Sequence, residues 1–150
     1  MTSSAAPPAE TTAVTLKSRL SEIERVAHAV EAFGSRHALP ARLVFEVNLA
    51  LEEILTNVIS YAYDDRVEHD IVVRLTMQPG ELVVQVEDDG RAFNPLDVAG
   101  PPLDVSLQDR QIGGLGLHLV RKVIDDLQYR RCDGKNILVM IKRAPSPQPR

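Results

Sequence analysis

The feature that most restricts this chain is the stretch from Ala41 to about Tyr63, where Val44, Val47, Leu51, Ile54, Leu55, Val58 and Ala62 recur at helical spacing. That pattern predicts a helix of about six turns with one broad apolar face, and such a face has to be covered by something else in the chain. The cover is legible downstream. Ile71, Val73, Leu75 and Met77 alternate, a Gln78-Pro79-Gly80 turn follows, and Leu82, Val84 and Val86 alternate again, which predicts an antiparallel hairpin. A second hairpin is expected where Gln128 to Cys132 and Ile137 to Ile141 flank Asp133-Gly134-Lys135-Asn136.

Shorter elements complete the pattern. Thr12 to Leu16 alternates weakly as a strand, and Ser21-x-x-Glu24 has the form of a capping box. The helix it opens carries Ile23, Val26, Ala27, Val30 and Phe33 on one face and breaks at His37-Ala-Leu-Pro40. Past Gly113, the positions Leu115, Leu119, Val120, Val123 and Leu127 describe a further helix face. Residues 92 to 112 hold Pro, Gly and Asp without steady period and read as a loop, a lid in form. The whole reads as helices packed on a sheet.

At 150 residues the chain closes one core and no more. Its ends, residues 1–11 and 144–150, are too rich in Ala, Pro, Ser and Thr to join that core and read as flexible tails around a domain at 12–143. The net charge of -4 gives no reason to expect nucleic acid or an anionic membrane as partner. Arg130, Arg131 and Lys135 read as the solvated edge of a hairpin rather than a phosphate track. A lone cysteine, Cys132, forms no internal disulfide and is expected in packing. The opening residues lack the form of a signal peptide, and no apolar run reaches the roughly 18 residues of a membrane span, so a cytoplasmic location is expected.

Three groups of residues have the chemistry of a site. Glu53 and Asn57 lie one turn apart on one face of the long helix, where they suit a hard cation or a base poised beside one. The same spacing also fits a solvated polar stripe. Asp88 continues the inward alternation of Leu82, Val84 and Val86, while Asp89 points away. A carboxylate there needs a donor, which a purine amino group, a backbone N–H or water would each supply, and Gly90 follows where backbone approaches closely. Gly113, Gly114 and Gly116 precede a helix whose unpaired N–H groups favour a phosphate, although a tight turn with close packing uses the same residues.

Taken in order, LALEEILTNVISYAY (Leu49 to Tyr63), VEDDGRAFNP (Val86 to Pro95) and GGLGLHLV (Gly113 to Val120) resemble the three nucleotide-binding boxes of the GHKL ATPases. Within that superfamily the chain resembles the anti-sigma-factor serine/threonine kinases of the RsbW and SpoIIAB type. The resemblance implies an α+β fold, a two-layer sandwich of the Bergerat type with helices on one face of a mostly antiparallel sheet. It implies ATP and Mg2+ as cofactors, with Asn57 holding the metal, Glu53 acting as base and Asp88 reading the adenine amine. Gly90, Phe93, Gly113, Gly114, Leu115, Gly116 and Leu117 are implied around the nucleotide, with Arg110 at the phosphates. The implied partners are a STAS-type anti-sigma-factor antagonist, which is phosphorylated, a sigma factor held in exchange, and a second copy of the chain. A nucleotide-gated binding module that transfers no phosphate is the alternative. One departure bears on the lid: Ala92 stands where the second glycine of the Asp-x-Gly-x-Gly box is usual.

Overall fold

Five strands form one antiparallel sheet in the order β1-β2-β3-β5-β4: β1 (Glu10–Lys17), β2 (Asp70–Gln78), β3 (Glu81–Asp88), β4 (Asp126–Cys132) and β5 (Lys135–Arg143). The computed structural model describes residues 10–94 and 114–144, excepting the side chains of 114–117. Expectations at Arg110, at Gly113 and for most of the 92–112 loop therefore lie outside the described residues.

Register shows why one face is apolar. Val14, Val73, Val86, Leu138 and Tyr129 are successive ladder partners across all five strands, and the next row runs Leu75, Val84, Met140 and Leu127. Because side chains alternate with period two, whole rows face the same way. On that face lie α1 (Ile23–Arg36), α2 (Ala41–Tyr61) and α3 (Gly114–Val123). A single core joins the rows to Val26, Val30 and Phe33 of α1, Val47, Leu51, Ile54, Leu55 and Val58 of α2, and Val120 of α3. The expected sandwich of helices on one face is thus the observed architecture. An ion pair between Glu46 and Lys142 (2.8 Å) also fastens α2 to β5. Among the described residues no helix is long and apolar enough to cross a membrane.

Several local expectations need correction. The Ser21 capping box is not made: Leu20–Glu22 forms a 3-10 turn that runs into α1, with no side-chain cap at either start. Glu22 instead accepts from the Lys17 N–H (2.9 Å) and from Arg25 (3.1 Å), closing the strand-to-helix corner. Leu127 belongs to β4 rather than the preceding helix. Cys132 is exposed, not packed, because it sits at the last position of an edge strand. Order also reaches slightly beyond 12–143. Glu10 already pairs with Met77, and Ala144 is buried, its N–H donating to the Gly80 carbonyl (2.9 Å).

Candidate functional site

One polar residue interrupts the buried face of α2. Asn57 is 8% exposed between Ile54 and Val58, and with them it lines a cavity completed by Val86, Asp88, Phe93, Tyr129, Asn136 and Leu138. Glu53, one turn earlier, is partly exposed. Glu52 is exposed on a different side, lining the groove between α1 and α2 with Leu20 and Phe45. The helix thus sorts the two adjacent glutamates to different surfaces, as the angle of about 100° between consecutive residues requires.

Asp88 is buried (4% exposed) at the core-facing end of β3, as the alternation required. Its Oδ1 accepts from the Gly90 N–H and from Asn136 Nδ2, both at 2.9 Å. Burial pushes the Asp88 carboxyl above its usual range, against the pull of these two donors. Asn136, ladder partner of Asp88, is equally buried and is the hub of the site. Its Nδ2 also donates to the Arg91 carbonyl (2.8 Å), and its Oδ1 accepts from Tyr129 OH (2.6 Å), Arg131 Nη1 (3.1 Å) and the Phe93 N–H (3.2 Å). Arg131 donates further to the Gly90 carbonyl (2.7 Å). Two strands and the segment after β3 are held by one amide.

Gly90 has a packing reason to be glycine: a Cβ there would stand 2.5 Å from the Ala62 carbonyl oxygen and 2.6 Å from Ala62 Cβ. The next residue secures the same junction, since the Arg91 N–H donates to the Ala62 carbonyl and Arg91 Nε to the Tyr61 carbonyl, both at 2.9 Å. The close approach is therefore between the β3 end and the C-terminus of α2, which sets Asp88 against the Asn57 side of the helix.

The structure brings Asn57, Asp88 and Phe93 to one cavity, whose lining does not include Glu53, one turn earlier on the same helix. Helix α3 opens at Gly114, so Leu115, Gly116 and Leu117 lie in its first turn. Asn136, Tyr129 and Arg131 are the additions that sequence reasoning did not identify. Arg131 is exposed on the edge strand, as expected of a solvated edge, and its guanidinium also donates to Gly90 and Asn136. Among the described residues no group of three or more His, Cys, Asp or Glu is arranged to hold a metal. The Asn57 amide oxygen is a hard donor of the kind Mg2+ accepts.

Residues 16–142 match the family model described as the histidine kinase-like ATPase domain. The serine/threonine-protein kinase BtrW of Bordetella bronchiseptica is 35% identical over 113 residues, 74% of this chain and 78% of that protein. The anti-sigma F factor of Clostridium novyi is 26% identical over 127 residues, 85% of this chain and 87% of its own. Among solved structures, the RsbU and RsbW domains of a Mycobacterium tuberculosis protein superpose with a TM-score of 0.66 at 14% identity, covering 91% of this chain and 34% of that one. That likeness speaks to the fold.

Proposed function

The chain belongs to the histidine kinase-like ATPase domain family, in its anti-sigma-factor serine/threonine kinase branch, and on that premise we propose that it binds ATP with Mg2+ and phosphorylates a serine or threonine of an anti-sigma-factor antagonist. The observation that carries the reading is the buried Asp88, fixed by Gly90 and Asn136 beside the cavity that Asn57 also lines. A buried carboxylate held in this way is pre-aimed to accept from an adenine amine.

In this reading Asn57 ligates Mg2+ and the first turn of α3 meets the phosphates with its unpaired N–H groups. Bound Mg2+ neutralises charge on the phosphates. Glu53 takes the proton of the attacking hydroxyl. That oxygen bonds to the γ-phosphorus while the bond from phosphorus to the β,γ-bridging oxygen breaks, and ADP leaves. The antagonist is of the STAS type, and a sigma factor is the second partner, held when the antagonist is not. A homodimer is part of the proposal: β1 and β4 are both edge strands, and an edge offers unpaired backbone groups to another chain. Light scattering giving only the monomer mass with nucleotide present would remove the dimer.

Single-turnover transfer and nucleotide affinity, measured together, test the chemistry. Glu53→Gln should keep binding nearly intact and slow transfer by about a hundredfold or more, whereas Glu52→Gln, on the other surface of α2, should change little. A parental transfer rate in Glu53→Gln would rule out this base. Binding without transfer in the parental protein would favour a nucleotide-gated binding module instead.

A further inference from the structure

His69 lies just before β2, between two carboxylates that belong to different parts of the fold. Its Nε2 stands 2.8 and 3.1 Å from the two carboxylate oxygens of Asp65, and its Nδ1 stands 3.2 Å from Asp89 Oδ1. A neutral imidazole has one N–H and one lone pair, so one of these contacts would then set a lone pair against a carboxylate oxygen. Only the imidazolium donates to both.

The ring is also held in place. The His69 N–H donates to Ser18 Oγ and its carbonyl accepts from the Ser18 N–H, both at 2.9 Å. Tyr63 covers one face of the ring, with centroids 4.1 Å apart and planes 9° from parallel, and an aromatic face attracts a cation. The Tyr63 hydroxyl is buried, and burial together with the charges of Asp88 and Asp89 holds it well above the usual phenol range. Arg19, Arg66 and Glu68 line this corner together with Asp65, Arg19 pairs with Glu68 (2.8 Å), and Asp70, next to His69, pairs with Lys17 (2.7 Å). The imidazolium is within hydrogen-bond distance of both Asp65 and Asp89, and Asp89 is bonded directly to the residue proposed to read adenine.

We propose that His69, as an imidazolium joined to Asp65 and Asp89, is a positioning residue that holds the Asp88-Asp89-Gly90 turn for nucleotide, so that affinity falls as the ring loses its proton. The inference rests on the nucleotide reading above. Once neutral, the ring donates to one carboxylate only, and the other loses its tie. The hydrogen bond to Asp65 raises the His69 pKa above its usual 6.5, and the same bond lowers that of Asp65. With a raised native pKa, the His69 contribution is complete below 6.5 and is lost as pH rises through the raised value. With a lowered one, the Asp65 contribution is complete above 3.8 and is lost only as pH falls through the depressed value. The tie is therefore complete between 3.8 and 6.5 and is lost as pH rises through the raised His69 value.

Nitrogen-resolved NMR of the full chain, with His69 assigned by loss of its signals in His69→Gln, and calorimetry of Mg-ATP from about pH 6 to about pH 9 test this together. Both ring nitrogens should be protonated at neutral pH, and affinity should fall on the order of fivefold toward the alkaline end. Asp65→Asn should move both midpoints to lower pH, and His69→Gln should flatten the affinity profile. A neutral His69 tautomer at pH 7, a flat parental profile, or an unchanged slope in His69→Gln would overturn the proposal. No Mg-ATP binding at any pH would refute the nucleotide function itself, and the tie as a control of binding with it, while the nitrogen signals would still decide whether His69 is charged.

Discussion

The β2–β3 and β4–β5 hairpins are built alike and used differently. Each closes in two residues, Pro79-Gly80 and Asp133-Gly134, and each needs glycine for its backbone alone: φ is +78° at Gly80 and +76° at Gly134, and a Cβ at either would meet nothing within 4 Å. Asp133 also has positive φ (52°), so this turn has the primed form that matches strand twist. The turns stand at opposite ends of the sheet, because Glu81 pairs with Arg143 while Asp88 pairs with Asn136. At the first end the Gly80 carbonyl accepts from the Ala144 N–H (2.9 Å), and the Arg143 N–H donates to Asp125 (2.7 Å). At the second the turn places Asn136 opposite both Asp88 and Arg131. The same two-residue turn serves strand pairing at one end and the proposed nucleotide site at the other.

That contrast is open to direct attack. The largest effect should come from Asn136→Ala, which strips Asp88 of a donor and leaves Tyr129 OH, Arg131 and the Phe93 N–H without this acceptor. Stability should fall by about 3 kcal/mol in denaturant unfolding, with nucleotide affinity down more than tenfold, since unsatisfied buried polar groups retain their desolvation penalty. Glu81→Ala, at the other end of β3, should stay within about 0.5 kcal/mol. Equal stability loss in the two variants would dissolve the comparison.

Gly134→Ala and Gly80→Ala should each cost about 1 kcal/mol, because both force a side chain into positive φ. Only Gly134→Ala should also weaken Mg-ATP, and calorimetry on the pair separates turn strain from site geometry. Tyr129→Phe should cost about 1 kcal/mol and leave the fold intact, one hydrogen bond to the hub being lost.

The smallest effect concerns charge. Burial raises the Asp88 pKa, so this group takes up a proton more readily in the folded chain and its ionised form opposes folding. Asp88→Asn should therefore hold or slightly raise the Tm at neutral pH while weakening adenine nucleotides. Stability should also depend differently on pH just above the ordinary 3.8 of Asp. A large fall in Tm would mean that the carboxylate is structural.

Periodicity found the strands and helices because each buries one face, and a repeat of two or near 3.6 is hard to produce otherwise. It found Asp88 for the same reason: the alternation of β3 is clean, so its phase can be extended by one step. Asn136 escaped because Ile137 to Ile141 is an unbroken apolar run, in which inward and outward positions cannot be told apart. Taking four residues as the turn rather than two also kept Lys135 and Asn136 out of the ladder. Arg131 and Tyr129 gain their meaning only from pairing across strands, which no local pattern encodes. Gly90 was legible as a close approach, but the neighbour it approaches, Ala62, follows from the packing of α2.

The cavity shared by Asn57, Asp88 and Phe93 encloses only about 20 Å³, room on the order of one water molecule. On the nucleotide reading a purine ring needs several times that space, so its entry there would require lining side chains such as Phe93 to move. Binding would then include an opening step, and measured affinity would be the intrinsic affinity scaled by the fraction of molecules that are open. Association would proceed at the pace of that opening rather than of diffusion. Stopped-flow traces should level off at high nucleotide concentration, where the plateau reports how often the wall carrying Phe93 swings clear.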